Sequence, residues 1–297
     1  MLPLIVGSVA VGIVVGILSG MLGIGGGTIL VPVFRLLFGL PPIAATATSL
    51  FTVIPTSASG MVSHIKGRTC IPLLGIAAGL GGALLSPVGV WLASISPDWA
   101  IMVAAALVIG YSAVTMFIKA MKLRKARAKS DALSGLPADE GFSPNTDGDP
   151  NADAKAGGSD PMDASLEDIS LPPKGRLFGI GFAIGLAAGL MSGYVGVGGG
   201  FLMIPLFMQL LGTPMKLTSG TSLIAVMFIA IPGTVMQAIL GNVEWVAGIM
   251  VAIGAIPGAV IGSKLMKRVP EFALRLGFSV FLLIAAILLV VNQLNVA

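Results

Sequence analysis

Gly16-Ile-Leu-Ser-Gly-Met-Leu-Gly-Ile-Gly-Gly-Gly27 returns 173 positions later as Gly189-Leu-Met-Ser-Gly-Tyr-Val-Gly-Val-Gly-Gly-Gly200, with seven of the twelve positions identical. Both copies reach a proline five residues on, Pro32 and Pro205. The register continues without a gap: Gly39 pairs with Gly212, Pro41 with Pro214, Thr48-Ser49-Leu50 with Thr221-Ser222-Leu223, and Gly60 with Gly233. Two halves of one chain therefore carry one pattern. A glycine inside an apolar helix costs about 1 kcal/mol against alanine, so a run of them implies a local task for the bare backbone. Interrupted apolar segments at matching positions of two halves are the sequence mark of a transporter's binding site.

The composition admits one class of protein. Hydrophobic residues make up 56 % of the 297 and charged residues 10 %, with a mean hydropathy of +1.00. A soluble chain carries about 25 % charged residues. Ten of the thirteen acids fall between Asp131 and Asp168, leaving Asp98, Glu244 and Glu271 for the rest. The chain is expected to be an all-α integral membrane protein.

Its net charge of +4 is no sign of nucleic-acid binding. Six of the seventeen basic residues lie between Lys119 and Lys129, just after an apolar segment, where positive charge signals orientation. The single cysteine, Cys70, excludes an intramolecular disulfide and a cysteine-only metal site within one chain. Nothing in the sequence calls for a cofactor or metal. The N-terminus has no positive n-region, so it reads as the first membrane segment and not as a cleaved signal.

Apolar segments sort into 3–22, 26–40, 43–63, 70–93 and 98–120, then 176–195, 199–212, 217–240, 244–264 and 271–292. A first repeat thus occupies 1–120 and a second 176–297. Between them, 121–175 reads as a disordered acidic linker, too polar to offset its ordering entropy. A full crossing needs about 20 apolar residues, so the second segment of each repeat either spans with strain or re-enters as a half-helix.

Loop charge predicts the topology. Lys66 and Arg68 follow segment three, and the basic cluster follows segment five, so both belong on the cytoplasmic side. The loop Ser94–Asp98 carries no cation and belongs outside. In the second half the pattern reverses: Gly241–Glu244 lacks a cation, and Lys264, Lys267 and Arg268 follow segment nine. An odd number of segments per repeat makes the two repeats inverted, with the linker cytoplasmic and both termini outside. Trp91, Trp99 and Trp245 fall beside the outer loops, as an aromatic belt would.

The candidate substrate contacts come from the glycine knots and from hydroxyls in equivalent register. Gly23, Gly25, Gly26 and Gly27, with Gly196, Gly198, Gly199 and Gly200, would free amide hydrogens and open the backbone to a ligand. A short helix starting after each knot would aim its N-terminal amides at the break, a ready anion site. The competing reading is close helix packing, assigned to Gly16, Gly20, Gly75, Gly79 and Gly248. Thr48, Ser49, Thr221 and Ser222 can donate to an oxyanion, or can bond a carbonyl one turn back.

His64 and Gln237 are equivalent in register and, with Lys66 and Arg68, are candidates for gating or access. His64, the only histidine, reads as interfacial beside basic residues, with a proton relay as the alternative. Lys216, Glu244 and Arg275 read as interfacial. With no carboxylate expected deep in the membrane, the pattern favours an anion over a cation as the partner. An enzyme would have one histidine, one cysteine and no deep acid to build from. A passive anion channel is the closest alternative to a carrier.

The doubled Gly-X-Gly-Gly-Gly motif with its proline, in a chain of this size with a central hydrophilic loop, resembles the TauE/SafE family of sulfite exporters and organosulfonate permeases. The resemblance covers both apolar halves. It implies a bacterial inner-membrane exporter of sulfite or another small sulfur-containing anion. The family's glycine motifs would fall at Gly23, Gly25, Gly26, Gly27, Gly196, Gly198, Gly199 and Gly200, completed by Pro32 and Pro205. Its members are described with fewer segments than read here, a difference that pairing each short segment with its predecessor would remove.

Overall fold

The computed structural model describes residues 2–134, 172–266 and positions 276, 277, 279, 280, 283, 284, 286, 287 and 291. The helices are α1 (Leu2–Leu22), α2 (Gly27–Leu36), α3 (Pro42–Lys66), α4 (Pro72–Ser94) and α5 (Asp98–Ser134). After the linker come α6 (Lys174–Val195), α7 (Gly200–Leu210), α8 (Met215–Ile239) and α9 (Trp245–Leu265). All described regular structure is helical. Residues 135–171, Lys267, Arg268, Glu271 and Arg275 lie outside the described residues.

Helix boundaries follow the punctuation of the sequence. Pro41 and Pro214 precede α3 and α8, where fixed φ suits a helix start and a missing N–H costs nothing. Gly39 and Gly212 turn left-handed just before them, at φ 65° and 63°. One boundary differs from expectation. The linker was expected from 121, but α5 continues to Ser134, because that stretch is rich in the helix formers Lys, Arg, Ala and Leu.

Among the described residues, five helices are long and apolar enough to cross a membrane: α4, the part of α5 from Asp98 to Thr115, α6, α8 and α9. Helix α3 is as long as α8, at 25 residues, but carries eight Ser and Thr hydroxyls. Its apolarity is diluted because much of it faces other helices, with Thr46, Thr48, Ser49, Thr52, Thr56 and Ser57 all buried.

Glycine stripes set the packing. A Cβ on Gly12, Gly16 or Gly20 of α1 would strike the backbone of Val251, Ala255 or Ala259 in α9. Reciprocally, Gly254, Gly258 and Gly262 lie against Val9, Ile13 and Ile17. The numbers rise together, so α1 and α9 run parallel at backbone contact, as small residues every four positions allow. Helices α4 and α6 repeat the arrangement, Gly81 on Phe182, Gly189 on Gly82 and Gly193 on Ser86. Gly75, Gly79 and Gly248 also sit at close helix contacts, so all five glycines assigned to packing serve it.

Helices α3 and α8, equivalent in register, cross in opposite senses: Gly60 meets Leu223 and Gly233 meets Leu50. Helix α9 runs with α3, Gly248 on Phe51 and Ser63 on Ser263. Helix α4 runs with α8, Gly79 on Phe228 and Gly233 on Ser86. These registers divide the molecule into two ends. One gathers the C-terminal ends of α3 and α9 with the starts of α4, α6 and α8. The other gathers the starts of α1, α3 and α9 with the C-terminal ends of α4 and α8. Each short helix leads back to the end from which the preceding helix set out.

Candidate functional site

The knots take the conformations that only glycine adopts cheaply. The Gly23 amide still donates to Ser19 O at 2.8 Å, as the Gly196 amide does to Ser192 O at 2.8 Å. Then φ turns positive at Gly23, Gly25 and Gly26 (73°, 78°, 83°) and at Gly196, Gly198 and Gly199 (76°, 81°, 75°). Each such residue would cost an L side chain about 1–2 kcal/mol. Gly26 and Gly199 are the N-caps of α2 and α7, and neither receives a side-chain cap. Their carbonyls accept from the amides of Ile29 and Leu30, and of Leu202 and Met203. Among the described residues, the amides of 25–28 and 198–201 have no protein acceptor.

The two knots meet. A Cβ on Gly27 would overlap the Val197 carbonyl, and one on Gly200 would stand 2.8 Å from Ile24 O. Gly25 and Gly198 both face Val53 and Val226, which are themselves equivalent in register and sit near the middle of α3 and α8. Every residue from Gly23 to Phe34 and from Val195 to Phe201 is buried. An unmade hydrogen bond to a buried amide costs roughly 1–3 kcal/mol. Unpaired amides at two helix N-termini, with alternating backbone handedness, are the kind of backbone donors that can hydrogen-bond an anion.

The predicted hydroxyls sit at this crossing but spend their bonds on the protein. Ser49 Oγ donates to Gly196 O at 2.8 Å, and Ser222 Oγ donates to Gly23 O. Thr48 Oγ1 accepts from the Glu244 amide at 3.0 Å, and Thr221 Oγ1 accepts from the Ile71 amide at 2.9 Å. Each bond in a pair is the other shifted by the repeat. Thr221 also back-bonds to Leu217 O at 2.7 Å. These four residues brace each half against the other's knot and against the helix starts of α4 and α9. Buried hydroxyls without a protein partner are instead Ser19, Thr28, Ser57 and Ser192, among others. Ser57 Oγ would lie 3.0 Å from a Gly25 Cβ, and Ser19 Oγ 3.4 Å from a Gly26 Cβ. Ser19 and Ser192 were visible as the one shared serine of the repeated motif.

His64 differs from its interfacial expectation. It is 3 % exposed, with Nδ1 2.7 Å from Thr69 Oγ1 and Nε2 3.2 Å from Gly20 O. Gln237, its equivalent, is fully buried and accepts from Asn242 Nδ2 at 2.8 Å, Asn242 being the equivalent of Thr69. Both therefore close a loop five residues long after a helix. Lys66 and Arg68 are exposed at the end that gathers the C-termini of α3 and α9, away from the knots. Trp91, Trp99 and Trp245 are exposed, and Trp245 packs edge-on to Phe51 at 5.1 Å.

Comparison with known proteins decides the lineage. The profile of the family described as Sulfite exporter TauE/SafE matches residues 8–289. The chain belongs to the TauE/SafE family. Two similar proteins of Bacillus subtilis (strain 168) carry the names Probable membrane transporter protein YunE and Probable membrane transporter protein YdhB. The first is 25 % identical over 266 residues, covering 86 % of this chain and 85 % of the relative. The second is 25 % identical over 275 residues, covering 92 % and 95 %. No solved structure matches the chain. As a TauE/SafE protein it is a multi-pass membrane transporter in a lipid bilayer, and its apolar helices agree with that.

Proposed function

We propose that this TauE/SafE protein exports sulfite or a small organosulfonate across a bacterial inner membrane by alternating access, holding the anion at the crossed glycine knots. The observation that carries the reading is the set of buried amides at 25–28 and 198–201, brought to one point from two halves. A small oxyanion there would accept hydrogen bonds from backbone and need no buried counter-cation. Complete burial of the knots supports a gated carrier, since an open channel would leave its polar backbone exposed.

The repeats are read as inverted about the membrane plane. Antiparallel α3 and α8 support this, as do the reciprocal bonds of Ser49 with Ser222 and of Thr48 with Thr221. Such a pair makes alternating access natural, because exchanging the conformations of the halves exchanges the open side. The end that holds Lys66 and Lys264 is read as cytoplasmic, with the linker on that side and both termini outside. An inside-negative potential favours anion exit by about 2.3 kcal/mol per charge per 100 mV, so export needs no coupling ion.

Flux in proteoliposomes loaded in turn with sulfite, sulfate and a short organosulfonate tests the reading. Saturable movement of sulfite or the sulfonate, with sulfate excluded, is expected. Movement of none of the three would refute the substrate assignment.

A further inference from the structure

We infer that a three-lysine cavity at one end of the molecule is an anion-loading vestibule, a low-affinity oxyanion site separate from the knots. The inference rests on the anion-carrier reading. The cavity, of about 540 Å3, opens between the end of α3, the start of α8 and the end of α9. Lys66, Lys216 and Lys264 line it together with Ser59, Ser63 and Ser263. Among the described residues, no acidic residue lines it.

Two of these lysines have an ordinary explanation. Lys66 and Lys264 stand in the last turns of α3 and α9, where a cation complements the helix dipole. Lys216 does not. It is the second residue of α8, where a cation opposes the dipole, and it adds a third like charge to the same hollow. A bound anion would offset both penalties.

Comparison with the opposite end strengthens the assignment. The repeat shift carries Lys66, Lys216 and Lys264 onto Ile239, Ile43 and Trp91, and Ser63 and Ser263 onto Met236 and Val90. The halves keep their reciprocal backbone bonds at the knots yet abandon the resemblance here. Among the described residues, the three-lysine cluster thus has no counterpart related by the repeat at the opposite mouth.

The cavity shares α3 with the contacts of the first knot. Ser57, which adjoins Gly25, lies on the same helix as the cavity's Ser59, Ser63 and Lys66, and His64 in the cavity wall approaches Gly20 O in the helix leading into the first knot. Its volume exceeds that of one small oxyanion, so the anion can keep part of its hydration there. Lysines suit such a station, since the ammonium acts as a mobile, well-hydrated point charge.

The test compares wild type with the triple variant K66Q/K216Q/K264Q in inside-out and right-side-out vesicles, measuring sulfite flux at zero potential. Transport from the cavity side should show KM raised by about tenfold, the low end of electrostatic focusing, with its maximal rate within about twofold. Transport from the opposite face should lose maximal rate at unchanged KM, as microscopic reversibility demands of a passive carrier. The triple Arg variant should behave as wild type. Unchanged kinetics, or a KM rise on the opposite face instead, overturns the inference. Loss of the effect in liposomes of phosphatidylcholine alone would assign the lysines to an anionic lipid headgroup and also overturns it. A separate readout needs no transport: sulfite or sulfate should protect Lys216 from amine acylation in the purified protein, and absence of protection refutes the vestibule. Lack of sulfite flux in wild type with that protection intact would fail the substrate reading alone.

Discussion

Replacing Gly25 by alanine loads two separable costs onto one residue. The first is conformational: at φ 78° an L side chain costs about 1–2 kcal/mol. The second is steric, since the new methyl would stand 2.5 Å from Val226 Cγ1 and 3.0 Å from Ser57 Oγ. Valine is stiff at χ1 and yields little, so overpacking adds about 1–3 kcal/mol. Gly198→Ala carries the first cost at φ 81° but a milder second, with Val226 Cγ1 at 3.2 Å and Val53 Cγ1 at 3.3 Å. The difference between the two variants should therefore be about 1–3 kcal/mol, with G25A the less stable. Val226→Ala removes the methyl that G25A strikes, so a double-mutant cycle should return a favourable coupling of similar size. Thermal unfolding of the purified proteins in one detergent measures both quantities. Equal stability of G25A and G198A, or no coupling to V226A, would show that the first knot does not reach the middle of α8. The convergence of the two knots would then be refuted.

Two further outcomes follow from named contacts. Ser49→Ala and Ser222→Ala each leave a buried knot carbonyl without its donor, so each should cost about 1–3 kcal/mol and lower flux; wild-type stability in either would refute the bracing role. Burial pushes the Cys70 thiol above its usual pKa, so alkylation should be slow near pH 7 and accelerate as pH rises, with an impermeant maleimide reaching it only from the cytoplasmic face. Labelling of intact cells from outside would reverse the proposed orientation.

Much of this arrangement was legible in the sequence, for reasons that differ by residue. The knots announced themselves because only glycine tolerates repeated positive φ, and a second copy at a fixed interval made chance implausible. Helix starts at Pro42 and Met215 were fixed by the prolines around them. The roles of Thr48, Ser49, Thr221 and Ser222 were harder to read, because their partners are backbone groups of the other half and any residue supplies a carbonyl or amide. His64 reads as interfacial beside Lys66 and Arg68, since nothing in a linear reading shows that Gly20 O lies 3.2 Å from its ring. Lys216 reads as interfacial for a similar reason: only the fold brings it to the cavity shared by Lys66 and Lys264. Ser19 and Ser192 were readable and overlooked, their identity in both motifs being the signal.

The central claim is that backbone amides of the two knots hold the transported anion. Protein labelled with 15N-glycine, with carbonyl-13C in isoleucine or valine to narrow the set and the Gly25→Ala and Gly198→Ala variants to assign the two resonances, reports on those amides directly during a sulfite titration. The account predicts saturable downfield shifts of the Gly25 and Gly198 amides at one common dissociation constant. Sulfite transport accompanied by unmoved resonances at both positions would contradict it.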